Sequence, residues 1–162
     1  MRRPRLFWRI YATYLIIVVL CTAAVGFYAV RSVRGFYVEH TERELQARAA
    51  LVREQVLPAI VADTPEELEA LVQRLGRASG TRITIIAADR PGAANGEVLG
   101  DSDSDPTEME NHAGRPEFVT ALLGRPGVAI RYSETLRENM MYVAVPVTED
   151  GRLTTVVRTA VP

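Results

Sequence analysis

Polar side chains that could bind a ligand or a metal are concentrated in one stretch, DSDSDPTEMENHAGRPE, which occupies residues 101–117. The stretch has no helical or strand periodicity over about fifteen residues, which is long for a connection inside a compact domain. It follows a strand-like run at residues 97–100 and precedes a helix-like run at residues 116–123. This position predicts an ordered functional loop.

The aspartates of this loop suggest a metal site, which the rest of the loop does not support. Asp101, Asp103 and Asp105 have the spacing that opens an EF-hand calcium loop, but the sixth position is Pro106 instead of Gly and the twelfth is His112 instead of Glu. A different divalent site that uses these carboxylates with His112 is one alternative. A solvated turn in which the side chains cap their own backbone is the other, and we favour it because Asp and Ser commonly do this. We therefore predict no metal.

The sequence offers little for catalysis. His40 and His112 are the two histidines, and neither a Gly-x-Ser-x-Gly elbow nor a phosphate-binding glycine loop is present. The context of His40 is faintly similar to a kinase phosphoacceptor box, but the proline that follows such a box is absent. We expect His40 to lie on a helix surface, and we expect no catalytic residue and no bound cofactor in this chain.

Three further candidates lie on predicted strands, where successive side chains point to opposite faces: Arg131, Tyr132 and Tyr142. An inward-pointing Arg131 would need a carboxylate partner or an anionic ligand. The loop supplies four carboxylates that could pair with it, those of Asp101, Asp103, Asp105 and Glu117. We expect a structural ion pair that holds the loop over the sheet, and we favour Asp101 or Asp105 as the partner. The candidate ligand-binding or loop-anchoring residues are therefore Asp101, Asp105, His112, Arg131, Tyr132 and Tyr142.

Residues 10–30 carry no charged side chain, and about 20 apolar residues suffice for a helix to cross a membrane. Aromatic residues stand near both ends of this segment, as is usual at membrane interfaces. A cleaved signal peptide is the alternative, although the apolar run exceeds the usual length of a signal core. Four arginines in residues 1–9 predict a cytoplasmic N-terminus and an extracytoplasmic remainder, hence a single-pass protein of the plasma membrane.

Residues 31–62 favour a helix that continues the membrane segment outward. Its apolar positions form one stripe along the helix, with members at Val38, Leu45, Ala49, Val52, Val56 and Ile60. We expect this stripe to pair with a second copy of the chain in a homodimer. Pro58 should kink or end the helix, because proline lacks the amide donor that a helix interior requires.

Residues 63–162 predict an α+β domain. A capping-box helix start stands at residues 64–67, and Gly76 and Gly80 are expected to end that helix. Strands are predicted at residues 81–88, 97–100, 128–134, 140–147 and 153–161, with a short helix from Pro116. Strands joined by short turns pair antiparallel, which gives a sheet of about five strands flanked by helices.

Composition excludes other classes of protein. Nineteen basic and 20 acidic residues give a net charge of −1, so nothing indicates a nucleic-acid partner. The single cysteine, Cys21, excludes an internal disulfide and a cysteine-based zinc site.

One string of residues also carries a family resemblance. It consists of Asp101-Ser102, Asp105-Pro106, Met109, Asn111-His112, Arg115-Pro116-Glu117, Gly124, Gly127, Arg131-Tyr132-Ser133, Thr135-Leu136, Met140 and Tyr142 to Pro146. In order and spacing it resembles the extracytoplasmic sensor region of bacterial sensor histidine kinases of the phosphate-regulon type, over residues 81–161. The resemblance implies a PAS-like fold of the Cache type. The chain departs from the family in a longer turn at residues 90–95 and in ending where a second membrane helix would follow.

The resemblance implies the input part of a two-component system, which passes an outside signal along the helix by a small shift or rotation. The signal would be a small molecule or a protein, and the phosphate in the family's name does not identify it. ATP, Mg²⁺ and the cognate response regulator would be used by kinase domains that this chain lacks, whether it is a fragment or a sensor-only protein. The alternatives are the sensor domain of a chemoreceptor or cyclase, and a secreted ligand-binding protein.

Overall fold

The computed structural model describes residues 4–133 and 137–162, with the side chains of residues 4–6 and 34 excluded. Its first element, α1 (Pro4–Val61), is one continuous helix, as the sequence predicts. From Phe7 onward it is long and apolar enough to cross a membrane, judged by length and composition. Pro58 stands near its end, but the helix continues to Val61 and the Pro58 carbonyl still accepts from Ala62 N. The predicted end of the helix at Pro58 is therefore wrong, since α1 ends at Val61.

The chain divides into two compact units, residues 1–41 and 42–162. In the first unit, large apolar side chains between Phe7 and Tyr37 are exposed, including Trp8, Tyr14 and Phe27. His40 is also exposed and stacks on Phe36 one helical turn away, with 6.1 Å between the ring centroids. His40 is thus the surface helix histidine that the sequence predicts.

In the second unit, the helical stripe belongs to the core of its own chain. Leu45, Ala49, Val52, Val56 and Ile60 are each at most 5% exposed. The Leu45 carbonyl accepts a hydrogen bond of 3.1 Å from Thr159 Oγ1, on the last strand of the sheet. The expectation that these residues form a dimer seam is therefore wrong, because the same periodicity arises when a helix packs on its own sheet.

The second helix, α2 (Pro65–Ser79), starts after Thr64 and ends at Gly80, whose φ of 60° is left-handed. The Thr64 side chain makes no capping bond to the backbone and instead donates to Glu67 Oε2. Gly76 does not end the helix but is buried inside it. A Cβ at Gly76 would lie 2.3 Å from Ser102 Cβ, so this glycine allows the loop to approach α2 closely.

Five antiparallel strands form the sheet: β1 (Arg82–Ala87), β2 (Val98–Asp101), β3 (Gly127–Ser133), β4 (Glu138–Glu149) and β5 (Arg152–Val161). Their order is β2-β1-β5-β4-β3. The α+β prediction is confirmed, as are the hairpins between chain neighbours. The predicted end of β3 at Glu134 and the turn residue Leu136 lie outside the described residues.

The two faces of the sheet have different covers. Helix α1 lies on the face that includes Thr159, and α2 packs on the same side, where Leu68 and Val72 stand next to Gly100. Helix α3 (Pro116–Ala121) and the loop of residues 102–115 cover the other face. There the buried Phe118 packs with Ile86, Ala144 and Val156. The loop contains a 3-10 turn at Pro106–Glu108 and is ordered, as expected.

Candidate functional site

A cavity of about 480 Å³ lies between the loop and the face of the sheet beneath it. This volume suits a small molecule. Depressions of about 540 and 580 Å³ lie elsewhere on the surface, but no buried charged side chain among the described residues lines them. The first cavity is lined by Arg82, Ser104, Asp105, Glu108, Met109, Glu110, His112, Arg115, Arg131, Tyr132, Ser133, Tyr142 and Arg158.

Two arginines of the cavity share one buried carboxylate. Glu117 lies in the first turn of α3 and is 0% exposed. Its Oε1 is 3.1 Å from Arg131 Nη2 and 3.5 Å from Arg158 Nη1. Strand alternation explains the meeting, because Arg131 on β3 and Arg158 on β5 both point to the face that α3 covers. The expected structural ion pair of Arg131 is present, but the favoured partners, Asp101 and Asp105, are wrong, and Glu117 of the same stretch takes their place.

Tyr142 separates these two guanidinium groups. It lies on β4, between the strands that carry Arg131 and Arg158. The ring centre is 3.9 Å from the Arg131 guanidinium carbon and 5.0 Å from that of Arg158. The negative face of an aromatic ring attracts cations, so Tyr142 stabilises two like charges that would otherwise repel each other.

Asp101 does hold the loop, but through Arg82. The two residues lie on paired strands, and Arg82 Nε donates to both carboxylate oxygens, at 3.1 and 3.2 Å. Thr84 Oγ1 donates to the same carboxylate at 2.7 Å, and the amides of Asp103 and Ser104 donate at 3.0 and 3.1 Å. Asp101 is fully buried and does not line the cavity. Its role is to fix the start of the loop and to position Arg82.

His112 is buried at the wall of the cavity, with 5% of its surface exposed. Its backbone amide donates to the Gly96 carbonyl at 2.7 Å, and its Nδ1 is 2.6 Å from the Glu110 carbonyl. Since a carbonyl only accepts, Nδ1 carries the proton. Burial, followed by the positive charge of Arg158, lowers the pKa of His112 to about 4. The imidazole is therefore neutral at physiological pH.

The outer part of the cavity is acidic. Asp105, Glu108 and Glu110 line it and are exposed. Asp105 Oδ1 accepts from the amide and hydroxyl of Thr107, at 2.9 and 2.6 Å, and these bonds lower the pKa of Asp105. Glu110 lies 3.5 Å from Arg115. The self-capping turn predicted for the loop is present, and the described residues contain no cluster of three or more metal-ligating side chains.

The buried charges do not balance. Arg82, Arg131 and Arg158 face the two buried carboxylates of Asp101 and Glu117, which leaves one positive charge without a counter-ion. Burial, partly opposed by Glu117, lowers the pKa of Arg158 to about 10, so it stays charged at neutral pH. Within the described residues, Nε of Arg131 and of Arg158 and Oε2 of Glu117 have no hydrogen-bond partner. Buried polar groups are normally paired, so the two Nε–H donors suit an additional anion, whereas Oε2 of Glu117 is an acceptor and does not.

The structure brings together Asp105, His112, Arg131, Tyr132 and Tyr142 of the sequence-predicted candidates and leaves Asp101 behind them. Sequence reasoning missed Arg82, Arg115 and Arg158 as site residues. A signal for Arg158 exists, because it is the one charged residue in the run VVRTAV within a strand that must be buried. A charge at an inward position of such a strand requires a partner or a ligand.

No protein family model and no curated protein sequence matches the chain. The chain does match solved structures. The sensor domain of DcuS from E. coli aligns with 75% of this chain and 91% of its own length, at 14% identity and a TM-score of 0.55. The sensor domain of the histidine kinase DctB from V. cholerae aligns with 66% of this chain, at 15% identity and a TM-score of 0.50.

The fold is that of bacterial sensor domains. The alignment with DctB covers 41% of that sensor domain's length, so this chain corresponds to less than half of it. The sensory domain of the C. jejuni chemoreceptor Tlp3, solved with isoleucine bound, is a more distant match, at 12% identity and a TM-score of 0.42.

Proposed function

We propose that the chain is the membrane-anchored input part of a two-component sensor histidine kinase and that it reads a small-molecule signal in the cavity beneath the loop. The sensor-domain fold, carried on a helix with an apolar segment long enough to span a membrane, supports this function. The cavity carries the proposal, because the buried Arg158 and the partly exposed Arg131 share a single carboxylate, which favours a binding site over a structural core.

Signal transmission follows from where the cavity lies. Its wall includes residues of the loop and of strands β1, β3, β4 and β5, so an occupant contacts most of the domain at once. A ligand that binds one arrangement of these elements better than another shifts the protein toward that arrangement. Helix α1, which is bonded to β5 through Thr159, would carry the shift toward the apolar segment.

The N-terminus would lie in the cytoplasm and the sensor domain outside, because four arginines precede the apolar segment. A homodimer would form through the parts of α1 whose apolar side chains stay exposed, such as Val33, Phe36, Tyr37 and Leu51. ATP, Mg²⁺ and a cognate response regulator would act on kinase domains joined to this sensor.

Topology is the first test. A reporter that is active only outside the cytoplasm, fused after Pro162, should be active in cells, and a cytoplasm-dependent reporter at the same site should be silent. The control variant replaces the four arginines of residues 1–9 with serine, which should mix or invert the two signals. Activity of only the cytoplasmic reporter in the natural sequence contradicts the proposal.

Signalling is the second test. The chain is joined after Pro162 to the second membrane helix and kinase half of a characterised receptor, and kinase output is measured. Arg158→Gln alters the charge balance of the cavity, while Arg152→Gln changes an exposed arginine of the same strand. We expect the first substitution to change the output and the second to leave it unchanged. Equal outputs from both variants would contradict a signalling role for the cavity.

A further inference from the structure

The charges of the cavity limit the kind of molecule that it can bind, and this inference rests on the proposed function. The inner part holds Arg82, Arg131 and Arg158 with two carboxylates, so it has room for one additional negative charge. His112 adds no charge there at neutral pH, because its pKa of about 4 keeps it neutral. A ligand is thus expected to present one acid group to this inner part.

The outer part of the cavity carries negative charge, opposite to the positive charge of the inner part. Arg115 and Glu110 form a pair at 3.5 Å that is neutral as a unit. Asp105 and Glu108 line the same cavity, and among the described residues neither has a cation within ion-pairing distance. The Thr107 hydrogen bonds keep the pKa of Asp105 below its usual value, so this carboxylate is ionised at neutral pH. A second acid group on a ligand would meet like charges here, whereas an amine would meet opposite ones.

We infer that the cavity takes a small zwitterion, with its acid group against Arg131 and Arg158 and its amine toward the carboxylates of Asp105 and Glu108. Met109 and Tyr132 line the cavity as well and provide carbon surface for the part of the molecule between the two charges. A cavity of about 480 Å³ holds a molecule of the size of an amino acid. The chemistry fits a carboxylic acid, which carries one negative charge, better than a phosphate monoester, which carries about −1.5 to −2 at pH 7, provided that an amine accompanies the acid.

The test measures binding to the full chain in detergent micelles by isothermal titration. One matched set of probes shares a five-carbon chain: 2-aminopentanoate carries acid and amine, pentanoate the acid alone, pentylamine the amine alone and glutarate two acids. Phosphoethanolamine and inorganic phosphate form a second pair, which distinguishes the two acid groups. The twenty protein amino acids and the straight-chain carboxylates of two to six carbons complete the panel.

We expect the zwitterions to bind best, with a lead of about five- to tenfold over the matched acid, which is what two exposed ion pairs supply. The double variant Asp105→Asn, Glu108→Gln should remove that lead and leave the binding of the acid alone unchanged or improved. Both side chains are exposed, so this variant is expected to fold normally. Arg131→Gln should weaken all acid-bearing probes.

Tighter binding of glutarate than of any zwitterion overturns the inference. An equal loss of pentanoate and 2-aminopentanoate binding in the double variant Asp105→Asn, Glu108→Gln overturns it as well. A panel in which no amino acid and no phosphoethanolamine binds below about 10 mM, an affinity weaker than about 3 kcal/mol, also overturns it. These outcomes leave the sensor proposal standing if the receptor fusion still responds to Arg158→Gln. A silent fusion with intact zwitterion binding removes the sensor proposal and keeps the ligand class.

Discussion

Glu117→Gln tests whether the pairs of Glu117 with its two arginines are buried from water. The substitution removes the shared negative charge and leaves the shape of the side chain almost unchanged. Glu117 Oε1 lies 3.1 Å from Arg131 and 3.5 Å from Arg158. After the substitution both guanidinium groups keep their charge, and an amide oxygen replaces the counter-ion. Arg82 stays paired with Asp101, so the imbalance of the inner cavity rises from one charge to two.

The loss of stability caused by Glu117→Gln depends on how well water reaches Arg131 and Arg158. The side chain of Arg158 is 3% exposed and that of Glu117 is 0% exposed, whereas the side chain of Arg131 is 23% exposed. Breaking a fully buried pair costs about 3–5 kcal/mol, because the partner stays charged and unpaired. Since Arg131 can be hydrated in part, we expect the lower end, about 3 kcal/mol. For a domain of this size, that loss lowers Tm by roughly 10 °C.

Urea unfolding of residues 42–162, followed by circular dichroism, measures this change. The control is Glu110→Gln, which breaks the exposed pair with Arg115 and should cost less than about 1 kcal/mol. Arg131→Ala should cost less than Glu117→Gln, because Glu117 retains Arg158. A loss below about 1 kcal/mol for Glu117→Gln would mean that water or bound ions already satisfy the arginines, as at an exposed pair, and would refute the buried network.

Three further changes are expected. Below pH 6.5 the free energy of unfolding should fall, by up to about 3 kcal/mol at pH 4, because His112 binds a proton more readily in the unfolded chain than in the fold, where its pKa is about 4. Unfolding measured across this pH range should lose that pH dependence in His112→Gln. Gly127→Ala should destabilise strongly, since its Cβ would lie 2.0 Å from the Glu117 carbonyl oxygen, whereas Gly114→Ala has open space and should be neutral in the same melts. Asp101→Asn should increase proteolysis within residues 102–113, measured by mass spectrometry, because it weakens the pair with Arg82; unchanged cleavage would show that the loop is held elsewhere.

The elements of the fold were predictable because each has a local signal. Strands and turns alternate in the second unit, and all five strands lie where β-branched and apolar residues recur. The stripe on α1 was identified but assigned to the wrong partner. A row of apolar residues indicates that one side of a helix is buried. It does not indicate whether that side packs on a second copy or on the same chain.

The choice among the carboxylates that could pair with Arg131 was not predictable, because it depends on strand order. Asp101 ends β2 and Arg131 lies on β3, and these two strands occupy opposite edges of the sheet. The closure of β1 on β5 creates this separation, and no short turn connects those two strands in the sequence. The same closure places Arg158 beside Thr84, where its Nη2 donates at 3.0 Å, and so brings a residue near the end of the chain into the cavity.

Strand β5 joins the cavity to α1 within one peptide unit. Arg158 points into the cavity wall, and its neighbour Thr159 points the other way and bonds the Leu45 carbonyl. Because a pleated strand sends successive side chains to opposite faces, rotation of β5 about its own axis moves the two groups in opposite directions. The ladders to β1 and β4 resist sliding of β5 along its length. A displacement of the arginine side chain would therefore reach the helix as a rotation of a strand that is hydrogen-bonded on both flanks.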